Sequence, residues 1–283
     1  MVVFCGTLLI IMALIPSEAL AWGPAAHLAI GSHVLGALGA LPGAIAAALA
    51  SHPRSFLYGC LAADILVGKG CRPRPGHSHG WGVALALLEQ ASTPRLTAHA
   101  YGYLTHLAAD VIAHNYYVPN ALGPWVRRGK LAHSYAEMLA DAHIRIPRHL
   151  GASIATLHFP EADRCLRLAT GQRPLVFRIK KGLFQGGVRA MEGLPRTSCT
   201  HLTPLVHTSL NLSLRLVWHT LLDPRYSLAT AHDPIGAHNL KAAQTFRRQR
   251  AFYRRHNGGV FFPLAPDLVP LEARHESLAG FFA

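Results

Sequence analysis

The stretch LTAHAYGYLTHLAADVIAHNYY, residues 96–117, decides the fold. No proline interrupts it, and its apolar residues recur with helical rather than strand periodicity. It reads as one long helix that ends before Pro119. His106, Asp110 and His114 stand at i, i+4 and i+8. Each step of four drifts only about 40° around a helix, so the three share a face. Their neighbours are small or apolar, so this polar face belongs to a buried helix. Buried polar groups need a partner or a metal ion. The two histidines lie about 12 Å apart along the axis, too far to hold one ion. Asp110 lies between them with two oxygens and suits a bridge between two metals.

Working outward, the same periodicity recurs along the chain. Residues 25–50 read as one or two apolar helices broken near Pro42-Gly43. His27, His33 and Pro42 make them core helices, not a membrane span. Further helices are expected over 55–67, 81–91, 130–145, 161–171, 175–191, 203–222 and 236–255, with prolines between them. Residues 68–76 read as a Gly/Pro loop, and the chain from 258 onward as an irregular tail. Strand-like alternation is scarce, and no linker divides the chain. The expectation is one all-α domain over 22–257, a multi-helix bundle around a metal cluster.

The chain has 283 residues, 51% of them hydrophobic and 14% charged, which supports a large core and argues against disorder. Its net charge of +13 favours acidic partners, whether anionic lipid, nucleic acid or phosphorylated substrate. Residues 2–15 are almost wholly apolar, and Ala19-Leu20-Ala21 fits a small-x-small cleavage site. Residues 1–21 therefore read as a signal peptide cut before Trp22, giving a secreted or periplasmic protein, although no basic residue precedes the apolar run. Cleavage leaves Cys60, Cys71, Cys165 and Cys199, an even set that permits two disulfides; Cys60 and Cys71 are close enough in sequence to bridge a loop. None has the CxxC spacing of a thiolate metal site, so they read as structural or free.

The next helix carries His133 and Glu137, again an i, i+4 pair of imidazole and carboxylate. Nitrogen and oxygen ligands without thiolate suit catalytic zinc. With 19 histidines and 14 acids in the chain, roughly one such pair arises by chance, so no single pair decides anything. His219 and Asp223 form a further pair, read as a decoy because Pro224 ends the helix. Upstream, HSHGW at 77–81 offers His77 or His79, with His79 preferred for the Trp that follows. Asp64 sits inside an apolar segment, as a helix cap, an Arg partner or a site carboxylate. His27 alone is an ordinary core or surface histidine.

Taken together, the order Trp22, His27, Asp64, His79, His106, Asp110, His114, His133, Glu137 resembles the bacterial zinc-dependent phospholipase C family, over residues 22 to about 140. The resemblance implies an all-helical fold and three zinc ions. By position, His79, His106 and Asp110 hold one. Trp22, through a free amino group and carbonyl, holds another with His27 and Asp110. His114, His133 and Glu137 hold the third. Asp64 is implied as the base beside the pair. The interval from His106 to His114 is shorter than in the best-known members, and the second half of the chain carries no matching motif.

The implied reaction cleaves a glycerophospholipid to diacylglycerol and a phosphorylated headgroup. The implied partners are a phospholipid or other phosphodiester and, peripherally, an anionic membrane, with no specific nucleic acid and a monomeric chain. Tyr116, Tyr117 and Trp125 read as lipid contacts or as core aromatics. Two alternatives stand beside this. Single-strand nucleases share the fold and the N-terminal tryptophan; they usually have aspartate where Glu137 stands, while the close Trp22-to-His27 spacing and the basic charge lean towards them. An inactive, exported zinc-binding helical protein is the other.

Overall fold

The computed structural model describes residues 22–66, 74–121, 136, 138–147, 149–193, 200–236, 238–239, 242 and 262–268. Among them are ten α-helices and no strand: α1 Pro24–Gly36, α2 Gly43–Ser51, α3 Pro53–Ala62, α4 Trp81–Glu89, α5 Pro94–Ile112, α6 Val118–Ala121, α7 Leu150–Ala155, α8 Pro160–Ala169, α9 Pro174–Glu192 and α10 Thr203–Leu222. The helices over 203–222, 175–191, 161–171 and 81–91 fall where periodicity places them. Helix α7 has no expectation behind it. None of the described helices is long and apolar enough to cross a membrane.

Helix α5 is the axis of the bundle. It starts at Pro94, where Thr93 accepts the amide of Leu96 at 3.2 Å as N-cap and proline fits the first helical position. From Ala98 to Ile112 every residue is buried. A helix buried on all sides must be surrounded, and α1, α2, α3, α4 and α10 all pack on it. The α3–α5 contact is backbone on backbone. A Cβ on Gly59 would lie 2.1 Å from the carbonyl oxygen of His99, and one on Gly102 would lie 2.0 Å from that of Phe56. Only glycine permits that approach.

The expected stop before Pro119 does not occur. A π turn over Ala113–Tyr117 carries the chain from α5 into α6, with the amide of Val118 donating to Ala113. Proline removes one ladder donor, and the wider turn shifts the hydrogen-bond register just ahead of it. The carbonyl of Tyr116 is met by the side-chain amide of Asn120 at 2.8 Å. Asn120 also exchanges hydrogen bonds with the backbone of Phe262, tying residues 262–268 to the domain, and Leu268 lies in the common core.

The two described cysteines are free, one of the states that the even set leaves open. Cys60 is a free thiol, wholly buried beneath α1, and Cys165 is free as well. Cys60 sits on the face of α3 that meets Gly31, where it fills core volume instead of bridging a loop. Cys71 and Cys199 lie outside the described residues, as do Trp125, residues 130–135 and 137 of the helix expected over 130–145, most of the one expected over 236–255, and residues 1–21.

A polar network lies under α3. Tyr58 donates to Asp163, which pairs with Lys181 at 2.5 Å, and His99 packs against Tyr58, Tyr103 and Phe159. Among the described residues the His99 Nε2 has no hydrogen-bond partner. Burial, aided by Lys181, pushes this imidazole down to about 3. An unfolded chain takes up a proton there below its ordinary value near 6.5 that the native chain refuses. His99 therefore subtracts stability as pH falls from that value towards 3, by about 2 kcal/mol at about pH 5. His99→Phe keeps a ring and removes the proton site. Its urea stability relative to the parent is expected to improve by about that amount between about pH 7 and pH 5. An unchanged difference refutes the assignment.

Candidate metal centre

Four separated segments converge on Asp110. Helix α1 brings His27, the 3₁₀ turn Ala63–Ile65 brings Asp64, the loop before α4 brings His79, and α5 supplies His106 and Asp110 itself. All five side chains are at most 2% exposed. The Nε2 atoms of His79 and His106 lie 2.9 and 3.2 Å from Asp110 Oδ2, and His27 Nε2 lies 3.3 Å from Oδ1. Asp64 Oδ1 stands 3.4 Å from His79 Nε2 and 3.9 Å from His106 Nε2. These contacts fall into two overlapping sets able to hold a metal ion: His27, His106 and Asp110, and Asp64, His79 and His106.

The tautomers follow from the outer contacts. His106 Nδ1 meets the carbonyl of Cys60 at 2.8 Å, and a carbonyl only accepts, so Nδ1 carries the proton. Ser78 donates its hydroxyl to Ala63 O at 2.8 Å, which leaves its oxygen to accept from His79 Nδ1 at 3.4 Å. Each imidazole thus turns a bare Nε2 inward, and the two are 3.2 Å apart. Two lone pairs and two carboxylates facing one dry point repel unless a cation sits among them. Among the described residues, the Asp110 oxygens and both His27 nitrogens make no aligned hydrogen bond. They face a common centre instead of one another, which is the arrangement of metal ligands, and the histidine and carboxylate donors fit zinc.

Without a cation, protons take its place. Burial opposes a charge on His106, but Asp110 and Asp64 outweigh it and the imidazole is raised above its ordinary value. Burial likewise opposes ionisation of Asp110, yet His106, His27 and His79 hold its carboxyl well below the usual range. Burial and then His106 lower His27.

The second half of the chain, silent in the sequence, buttresses this centre. The indole of Trp22 is wholly buried and stacks on Tyr117 with ring centroids 4.6 Å apart. Its Nε1 donates to Ala109 O and to Ser213 of α10, both at 3.1 Å, which fixes residue 22 against α5 one residue before Asp110. Tyr117 is therefore a core aromatic. Asp141 caps the start of α1, accepting from the amides of Ala25 and Ala26 at 3.0 and 3.1 Å. Gly236, at φ +62, lies so close over His114 that a Cβ there would fall 2.6 Å from the histidine Cβ.

His114 is buried on the π turn, its ring centroid 6.5 Å from that of His79. His133 and Glu137, expected beside it, lie outside the described residues. His77 does not join the cluster; its Nδ1 accepts the backbone amide of His79 at 3.0 Å. His219 and Asp223 end α10, where Asp223 accepts from the amide of Tyr226 at 3.1 Å. The supporting carbonyl of Cys60, Ser78 and Asp141 carried no sequence signal, and only the glycines at 59 and 102 hinted at the close helix crossing.

The family model for zinc-dependent phospholipase C matches residues 26–167. The chain belongs to the zinc-dependent phospholipase C family. That family is all-α, as the bundle is, and its zinc dependence agrees with the histidine–aspartate centre. The match spans α1 to most of α8 and takes in every described residue gathered at Asp110. This phospholipase C family member matches no curated protein and no solved structure.

Proposed function

We propose that the chain is a phosphodiester hydrolase that cleaves glycerophospholipids to diacylglycerol and a phosphorylated headgroup. The observation that carries this reading is the pair of bare Nε2 atoms of His79 and His106, 3.2 Å apart and both against Asp110. Zinc held among them supplies Lewis acidity, polarising a phosphoryl group and easing the loss of a proton from water. His79, His106 and Asp110 are assigned to one ion. His27 and Asp110, with the residue 22 backbone, are assigned to a second. His114, His133 and Glu137 are assigned to a third. Asp64, beside His79 and His106, orients the attacking water and accepts its proton.

The Cys60 carbonyl and Ser78 hold the two imidazoles in the tautomer that this requires, and Tyr103 donates to Ser78 O to fix the loop. Release of residues 1–21, with export, suits a residue 22 anchored beside Asp110, because cleavage there frees an amino group. Sequencing the amino terminus of the exported protein tests this.

The central test is release of diacylglycerol from phosphatidylcholine by the zinc-loaded chain, with zinc counted in the same sample. Asp64→Asn is expected to lower turnover by about a hundredfold or more. Turnover that survives in the variant removes Asp64 from the chemistry. No diacylglycerol from the parent chain, with cleavage of single-stranded DNA in its place, overturns the phospholipase reading for the nuclease one.

A further inference from the structure

We infer that the outer face of α9, with the end of α8, is a docking surface for an anionic lipid bilayer. Helix α9 carries apolar side chains on its outer side as well as its inner one. Phe177, Phe184 and Val188 form its inward stripe and are buried. On the far side, Leu175, Ile179 and Leu183 recur at intervals of four and are 63%, 56% and 52% exposed. Val176 flanks them, and Leu168 at the end of α8 is 55% exposed. Four of the seven exposed large hydrophobic side chains among the described residues thus lie on α9, and a fifth, Leu168, ends the helix just before it. Scattered apolar residues need no explanation, but a contiguous patch does.

The charge around the patch names its partner. Residues 164–191 hold seven cations, Arg164, Arg167, Arg173, Arg178, Lys180, Lys181 and Arg189, and no acid. Lys181 points inward to Asp163. None of the other six makes an ion pair with a described carboxylate. An apolar stripe bordered by cations is the pattern of a helix lying in the headgroup plane of a negatively charged membrane. A nucleic acid would use the cations and leave the leucines without purpose.

The face is also near the centre. Helix α9 packs on the Ala63–Ile65 turn that carries Asp64, and Lys181 reaches Asp163 and so Tyr58, two residues before the Cys60 carbonyl under His106. Helix α9 itself would then stand between a docked bilayer and the segment that supplies Asp64. The biological sense of the inference rests on the phospholipid reading, but docking itself requires no turnover.

The test sediments the zinc-loaded chain with vesicles of phosphatidylcholine, with and without phosphatidylglycerol. Hydrolysis is followed separately on a short-chain phospholipid dispersed as monomers. Binding is expected to require phosphatidylglycerol and to weaken with salt. The triple variant L175S/I179S/L183S and the double variant R173E/R178E are each expected to lose about tenfold or more in vesicle affinity. Both should turn over the monomeric lipid as the parent does. Because every substituted residue is exposed, the two sets are not expected to unfold the chain, and circular dichroism checks each one; if one does unfold, the other still decides.

Parental vesicle binding in either folded variant overturns the inference. So does a fall in the lipid-free molecular mass of the triple variant, which would mean that the face covers a second copy. Binding of single-stranded DNA that falls with the arginine pair, while anionic vesicles bind no better than neutral ones, overturns it too. Vesicle binding without any turnover leaves docking standing and removes only the hydrolase reading.

Discussion

Asp110→Asn is expected to abolish zinc uptake by the His27–His79–His106 cluster while leaving the fold intact. Both carboxylate oxygens are committed, Oδ1 towards His27 and Oδ2 towards His79 and His106. The amide fills the same volume but carries no charge, and its nitrogen can donate to one of the bare imidazole nitrogens. The metal-free centre therefore tolerates it, whereas a cation meets a donor where it needs an acceptor. Altering a group that merely supports a metal ligand lowers affinity about 10- to 100-fold, so replacing a shared ligand should exceed that range. Competition against a chelator measures it. Thermal unfolding gives an independent reading: zinc at about a thousand times its dissociation constant should stabilise the parent by about 4 kcal/mol and the variant hardly at all. The acid side should change as well. The native Asp110 carboxyl is held below its unfolded value, so it contributes stability above that value and loses it as pH falls through the native one. The asparagine variant lacks this contribution. A variant that binds zinc as the parent does would remove Asp110 from the centre.

How far the site could be read in advance depended on what lay within one helix turn. His106 and Asp110 share a face of α5 because a helix of 3.6 residues per turn requires it, and the buried surroundings of that face were legible from the small residues between them. The all-α class followed from the same periodicity. Pro119 misled because proline ordinarily stops a helix, whereas a π turn, which has no reliable sequence mark, carried the chain past it. Cys60 was left open for a different reason. Spacing put it near Cys71, but the phase of α3 turned its thiol into the core and its carbonyl towards His106. Contacts between remote segments were the least legible. The bond from Trp22 to Ala109 spans 87 residues, and the caps from Asp141 to Ala25 and Ala26 span 116 and 115. Nothing local encodes such a pairing; it exists only once the helices have packed. The choice between His77 and His79, two residues apart, rested only on the Trp that follows; the loop sets His79 against Asp110 and His77 against backbone.

Gly102→Ala sets two physical rules against each other. By helix propensity alone, alanine inside α5 should stabilise the chain by about 1 kcal/mol. The packing demands the opposite. A Cβ at 102 would lie 2.0 Å from the carbonyl oxygen of Phe56, and 2.9 Å from both the amide nitrogen of Cys60 and the Cα of Gly59. All three are backbone atoms, so no side chain can rotate aside, and α3 must move away from α5. The clash should dominate, with a net loss of about 3 kcal/mol or more in urea unfolding. The displacement falls on the segment that supports His106. As the Cys60 carbonyl withdraws from Nδ1, the imidazole loses the contact that sets its tautomer, and zinc affinity should drop about tenfold or more in whatever protein remains folded. Gly182→Ala on α9 is the matched control. A Cβ there meets nothing within 4 Å among the described residues. With no clash, propensity is left alone, and that variant should gain up to about 1 kcal/mol and keep its zinc. If both alanines stabilise the chain equally, the two helices do not cross backbone to backbone, and the support inferred for His106 goes with that crossing.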